Sequence, residues 1–475
     1  MEAVISAIAS DIISRAISYL LRKYMENTID DDKLQRLQQL LLRIHAVVEE
    51  ADGRYITNQR MLMQLKMLVA HMYQGYHMLD MYRYKSLLDS ITNEDSTASY
   101  IHLKRSRTIL GTIKSFAESN DLQSMLENIE KAVANMSEFV ILLGGCERHC
   151  RRPYDTYLYT DNFMFGRHVE KQQIINTLLH NPENHGAPMV LPVIGGIRVG
   201  KETLVSHVCR NDRIKSHFSS VLFIRGDSIS RTVDANFGSE RTLVVVDFVT
   251  DVDDDDWVNF YSTITRAAAE GSKVIIISRI QRLARFGTVE AISLNSMSHE
   301  EYSYLFKMLA FGSTDERQHP RLVSIANKLA TVLGGSLITA NAMADLLRRN
   351  HDLQFWLRIL SNFKRLVDDN LSKYGKHPKD IIEDGQPIDI TTLVSSNHAS
   401  IVMFHPQVER DNSPTRELAH VHMGDLVAGS TAIPSDEFEL VAWESRIPPY
   451  TRHVLDVTCA EQIQGASARK RRYRN

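Results

Sequence analysis

Pro188-Met189-Val190-Leu191-Pro192-Val193-Ile194-Gly195-Gly196-Ile197-Arg198-Val199-Gly200-Lys201-Glu202-Thr203-Leu204 is the stretch on which the fold turns. Its first seven residues are apolar or proline, a run of the length and composition of a short buried strand. The glycines that follow close on Gly200-Lys201, and a helical pattern then runs through Val208. Strand, glycine loop ending in Gly-Lys, and helix together form the context a phosphate-binding loop needs. Backbone N–H groups and the positive end of the helix dipole cradle phosphates, and Lys201 reaches the terminal ones. One position departs from the pattern: Glu202 stands where a Ser or Thr hydroxyl would hold Mg²⁺.

Two further stretches extend the pattern. Leu243-Val244-Val245-Val246-Asp247 is an apolar strand ending in an acid, which brings a carboxylate towards a nucleotide-bound Mg²⁺. Gly271-Ser272-Lys273-Val274-Ile275-Ile276-Ile277-Ser278-Arg279 is a third buried strand, ending in a cation suited to sensing a terminal phosphate. Short apolar strands separated by helical segments predict a parallel α/β sheet with its ligand at the carboxyl ends of the strands. The alternative for Asp247 and Arg279 is a surface ion pair.

On either side of this segment the chain changes character. None of the twelve prolines precedes Pro153, and residues 1–143 contain only Gly53, Gly75 and Gly111, so the N-terminal region reads as all-helical. Four apolar stripes follow helical spacing: Val4 to Leu21, Leu34 to Val48, Met61 to Leu79, and Leu122 to Val140. They predict an antiparallel four-helix bundle in which most apolar residues are core, the alternative being that one stripe stays free to dock a partner or a second copy. Seven prolines fall after residue 370. There, Ala399 to Phe404, His420 to Val427 and Phe438 to Trp443 predict strands of a small β-rich module.

Composition excludes several classes. Across 475 residues, 43% apolar and 24% charged content describes a folded globular chain, not a disordered one. Lys+Arg (55) nearly balances Asp+Glu (58), which argues against a dominant electrostatic grip on nucleic acid. Four cysteines give no disulfide framework, and neither a signal peptide nor a membrane-spanning run is read, so the expectation is a cytoplasmic protein. The basic run Arg469 to Arg474 adds a nuclear address as the alternative to a charged tail. Cys146, His149 and Cys150 have half the ligands of a zinc site and no second pair nearby. Asp253 to Asp256 reads as a solvated loop, with a cation site as the alternative, and no Ser-His-Asp or Cys-His arrangement stands out.

The residues together resemble plant disease-resistance proteins of the coiled-coil NB-ARC type, in particular the grass branch. Ala51 to Asn58 and Met72 to Asp80 resemble the Rx-like N-terminal helical domain of that family. Phe165-Gly166-Arg167 resembles the segment that holds the adenine; Phe218 to Ile224, Gly271 to Arg279 and Leu294 to Gly312 resemble its successive nucleotide-binding blocks. Leu333-Gly334-Gly335-Ser336-Leu337 resembles the family's Gly-Leu-Pro-Leu segment.

The resemblance implies a helical domain at 1–150, a P-loop nucleotide-binding α/β domain at 151–312 and a helical subdomain at 313–370. Residues 371–475 are left as an unassigned β-rich region without leucine-rich repeats. It implies ADP or ATP as ligand, with Mg²⁺, held by Phe165, Gly166, Arg167, Gly195, Gly200, Lys201, Thr203, Asp247 and Arg279, Asp247 being the metal ligand. It further implies protein partners or self-association through the helical domain. The implied function is an immune-receptor-like nucleotide switch, with a non-hydrolysing adapter or decoy as the alternative. Glu202, and Phe248 in place of a second acid, reduce the expected catalysis to a weak ATPase at most. His422-Met423-Gly424-Asp425-Leu426 only loosely resembles the family's Met-His-Asp sensor.

Overall fold

A computed structural model describes residues 32–84, 119–148, 165–180, 187–229, 240–384, 386–393, 402–406, 419–430, 434, 437–444 and 452–459. It divides into two compact units, Met1–Ile56 with Met63–His149, and Thr57–Leu62 with Cys150–Asn475.

The first unit is helical. Helix α1 covers 32–52 and α2 covers Gln59–Arg83, matching the second and third apolar stripes. The fourth stripe is not one helix. It breaks at Asn135-Met136 into α3, Ser119–Ala134, and α4, Ser137–Gly144. The first stripe, Val4 to Leu21, lies outside the described residues, so the described part shows three long helices and one short one. Leu37, Leu41 and Ile44 of α1, Leu65 and Met72 of α2, and Leu122 and Ile129 of α3 are buried.

The helices approach closely at Gly75. A Cβ there would lie 2.5 Å from Leu41 Cδ2 and 2.8 Å from Ile129 Cδ1. Gly75→Leu is therefore expected to destabilise this unit by about 1–3 kcal/mol through overpacking, measured as a lower urea midpoint of its helical circular dichroism. An unchanged midpoint would show that the contact yields.

The second unit is built on a five-stranded parallel sheet of order β2-β3-β4-β1-β5. Its strands are β1 Met189–Gly195, β2 Ser220–Arg225, β3 Thr242–Phe248, β4 Lys273–Ser278 and β5 Ile292–Leu294. Each of β1, β3 and β4 is apolar on both faces because helices cover both sides of a parallel sheet. On one side α5 (His168–Leu179), α6 (Lys201–Cys209) and α7 (Asp212–His217) pack through Ile174, Leu204, Val208 and Ile214. On the other, α8 (Asp254–Ala267) buries Trp257, Phe260 and Ile264. The acidic run at 253–256 is thus not a loop. Asp253 is the N-cap residue of α8 and Asp254 to Asp256 its first turn, where carboxylates suit the helix dipole, and Arg285 bonds Asp254 at 2.9 Å.

Four further helices follow: α9 (His299–Phe311), α10 (Pro320–Val332), α11 (Leu337–Arg349) and α12 (Leu353–Tyr374). A capping box between Ser298 and Glu301 starts α9, and Ser336 caps α11. After the short α13 (Pro378–Glu383) comes a second five-stranded sheet of order β6-β7-β10-β9-β8. It consists of β6 Ile388–Asp389, β7 Val402–Pro406, β8 Ala419–His422, β9 Phe438–Glu444 and β10 Arg452–Cys459. The strand expected at His420 to Val427 stops at His422. Met423–Ala428 instead forms a short helix, α14, whose Met423, Leu426 and Val427 turn inward at helical spacing. β10 has no counterpart among the expected strands, yet it is the central partner of both β7 and β9.

Candidate functional site

The loop between β1 and α6 is shaped by what surrounds it. β1 ends at Gly195, where a Cβ would sit 2.5 Å from the carbonyl oxygen of Leu294, so only glycine lets β1 run beside the end of β5. Five residues on, the chain turns at Gly200 (φ 89°) into α6, which starts with no side-chain cap on its first-turn N–H groups. Those uncapped donors at a helix N-terminus form an anion site. Lys201, 4% exposed, bends back over the loop and donates from Nζ to Gly196 O at 2.7 Å. Burial pulls its ammonium below the usual lysine range and Arg279 adds to this, while the carboxylates of Glu202 and Asp247 oppose it.

Arg167 lies just before α5 with its guanidinium buried. Nη2 donates to Asn295 O at 2.6 Å and to Val199 O at 3.4 Å, tying the phosphate loop to the segment that leads into α9. Its buried Nε has no partner. Phe165 stacks on Tyr304 of α9, with ring centroids 5.9 Å apart and planes 17° from parallel.

These groups border a cleft of about 370 Å³. Of the nine residues expected at the site, Phe165, Arg167, Gly200, Lys201, Thr203, Asp247 and Arg279 line it. Gly166 and Gly195 do not; they set the path of the backbone beside it. The opposite wall comes from Leu305 and Leu309 of α9 and Leu337 of α11, which fall within the resembling blocks, and from Asn341 of α11, Trp443 of β9 and His453 of β10, which carry no motif. Trp443 and His453 pair across the β9–β10 ladder and stack, centroids 5.8 Å apart at 11°.

Phe248 has a role the sequence hid. Alternation along β3 puts Asp247 on the side of Leu243 and Val245, and Phe248 on the side of Val244 and Val246. There it is 1% exposed and meets Trp257 edge-on at 6.2 Å. His422 and Asp425 line a different cavity of about 470 Å³, between α11 and the second sheet. Among the described residues no group of three or more His, Cys, Asp or Glu side chains could hold a metal ion.

A titrating group lies behind the loop. His207 of α6 accepts from Lys171 Nζ of α5 at 3.1 Å, and burial, helped by Lys171 and Arg210, lowers its pKa from 6.5 to about 4. Between those two values the unfolded chain takes up a proton that the folded chain refuses. Stability contributed by the neutral imidazole is therefore present above pH 6.5 and lost as pH falls towards 4, by up to about 3 kcal/mol. His207→Gln, which keeps an acceptor for Lys171, is expected to lose less stability than the parent between pH 7 and 4.5. Parallel acid profiles of urea unfolding would contradict this.

No family profile matches the chain. It is 24% identical to "Disease resistance protein RGA2" of Solanum bulbocastanum over 360 residues, 68% of this chain and 35% of the relative. "Putative disease resistance protein RGA1" of the same plant is 23% identical over 359 residues, again 68% and 35%. "Putative disease resistance RPP13-like protein 1" of Arabidopsis thaliana is 23% identical over 398 residues, 76% of this chain and 37% of the relative. The chain is similar to plant disease-resistance proteins over 68–76% of its own length. It spans 35–37% of the length of these disease-resistance relatives. A solved structure, "Structure of Drosophila ORC bound to DNA", superposes over 48% of this chain and 74% of its own, at 13% identity and a TM-score of 0.28. Among the described residues, no helix is long and apolar enough to cross a membrane.

Proposed function

We propose that this chain is a nucleotide-binding switch protein of plant defence that holds ADP or ATP in the cleft around Lys201. The observation that carries this reading is the convergence of seven expected residues on one cleft, with Lys201 at an uncapped helix N-terminus. In this reading Lys201, Thr203 and the loop amides take the phosphates, and Phe165, Gly166 and Arg167 lie on the adenine side. Residues 151–312 bind nucleotide and 313–370 form the helical subdomain. Residues 371–475 supply Trp443 and His453 to the far wall, and 1–150 make partner or self-association contacts in the cytoplasm.

Hydrolysis is absent or slow in this account, because Phe248 gives no carboxylate to orient water and Glu202 no hydroxyl for a metal. ADP at a hundred times its dissociation constant is expected to stabilise the chain by about 2.7 kcal/mol, read as a rise in Tm, with phosphate release from ATP at background. No rise with either nucleotide would sink the reading, and brisk release would make the chain an NTPase instead.

An adapter that works through its N-terminal helices is favoured by one observation. Val140, Ile141 and Leu142 of α4 are exposed together, Ile141 at 75%. If that reading is correct, partner capture survives Lys201→Ala and is lost in Ile141→Asp.

A further inference from the structure

The charges lining the cleft do not match a metal-bound nucleotide. Mg²⁺ at a phosphate loop takes a hydroxyl beside the lysine and a carboxylate at a strand end, together with phosphate oxygens. Here the hydroxyl position is Glu202, exposed at the rim, and both Glu202 and Asp247 act electrostatically on Lys201. A glutamate at that point sets a negative charge against the phosphates where the hydroxyl would have been neutral. The loop has thus lost the neutral hydroxyl of the usual Mg²⁺ donor set, and the carboxylate in its place repels the phosphates unless a cation lies between them.

What the loop has gained is a cation. Arg198 is the one non-glycine residue among those described with a left-handed backbone, φ 56°. A bulky side chain in that conformation is strained, and such strain marks functional loops. Arg198 lines the cleft with Lys201 and Arg279. It lies within electrostatic reach of Glu383 on α13 and His453 on β10. Arg167, the remaining cation of the lining, is already bonded to two carbonyls. Arg198 thus adds a positive charge to the lining that also holds Glu202, on a guanidinium whose planar fork suits phosphate oxygens.

We infer that the cleft takes a nucleoside diphosphate free of divalent cation, Arg198 supplying the charge that a metal would bring; this rests on the nucleotide reading above. Calorimetric titration of ADP into the full chain, in excess EDTA and in Mg²⁺, tests it. ADP binds in EDTA at least as tightly as in Mg²⁺. Arg198→Gly and Arg198→Asn, both of which accept a left-handed backbone and so leave the loop folded, weaken ADP tenfold or more in EDTA. Glu202→Thr makes binding to the Arg198→Gly chain respond to Mg²⁺.

Binding that requires Mg²⁺ in the parent chain, or Arg198 variants that bind like the parent, overturns the inference and leaves the nucleotide reading standing. ADP that fails to bind in either condition overturns the nucleotide reading, and the inference with it.

Discussion

Lys201→Ala is expected to weaken ADP binding tenfold or more without lowering the stability of the free chain. A hydrogen bond to a charged group contributes about 1.5–3 kcal/mol, and Lys201 is the cation placed at the N-terminus of α6, where the phosphates would sit. In the free chain the same ammonium is buried and held below its usual pKa range, and it donates to Gly196 O at 2.7 Å. Removing it relieves a desolvated charge and leaves that carbonyl, on an exposed residue, to water. Affinity and stability should therefore move independently. Equilibrium dialysis with labelled ADP beside a thermal melt checks both. A variant that binds ADP like the parent would move the ligand elsewhere, and one that simply unfolds would show Lys201 to be structural.

Phe248→Asp is expected to prevent folding. In the sequence, position 248 looks like the natural place to restore a second acid after Asp247. In the structure the side chain is 1% exposed among Val244, Val246, Trp257, Phe260 and Phe286. Losing a buried phenylalanine costs about 3–5 kcal/mol, and an unpaired buried carboxylate costs several more. Total stabilities are about 5–15 kcal/mol, so little remains to hold the second unit together. Phe248→Leu, close in volume, should cost less than about 1.5 kcal/mol. Soluble yield and urea unfolding of both variants are the measurements. A Phe248→Asp chain with near-parent stability would mean that β3 can present this position to solvent.

What was legible in the sequence follows from how local each signal is. The phosphate loop, β1, β3 and β4 announce themselves because strand, glycines, lysine and acid lie close together in order, and the structure gathers them at one cleft. The part of the far wall made by the second sheet was not legible. Trp443 and His453 reach the cleft only because β9 and β10 pair, and nothing within Arg452 to Cys459 marks it as the centre of a sheet.

Periodicity misled where a boundary was sharp. The stripe from Leu122 to Val140 keeps helical spacing across the break at Asn135-Met136, so spacing alone could not show the interruption. At His420 to Val427, alternation and β-branched content suggested a strand throughout. The inward turn of Met423, Leu426 and Val427 decides for a helix after His422. Phe248 shows the same limit at a single residue: the motif names the position, and the alternation of β3 decides which side of the sheet it serves.

The central claim is that nucleotide sits in the cleft bounded by Lys201 and Trp443. Of the chain's three tryptophans, Trp257 and Trp356 are buried in the core, while Trp443 lines the cleft. Tryptophan fluorescence followed during an ADP titration of the full chain tests the claim most directly. The account predicts a saturable one-site change that is lost in Trp443→Phe and weakened in Lys201→Ala. A signal that stays flat up to about 1 mM ADP, a concentration that would reveal even binding of about −4 kcal/mol, would contradict it.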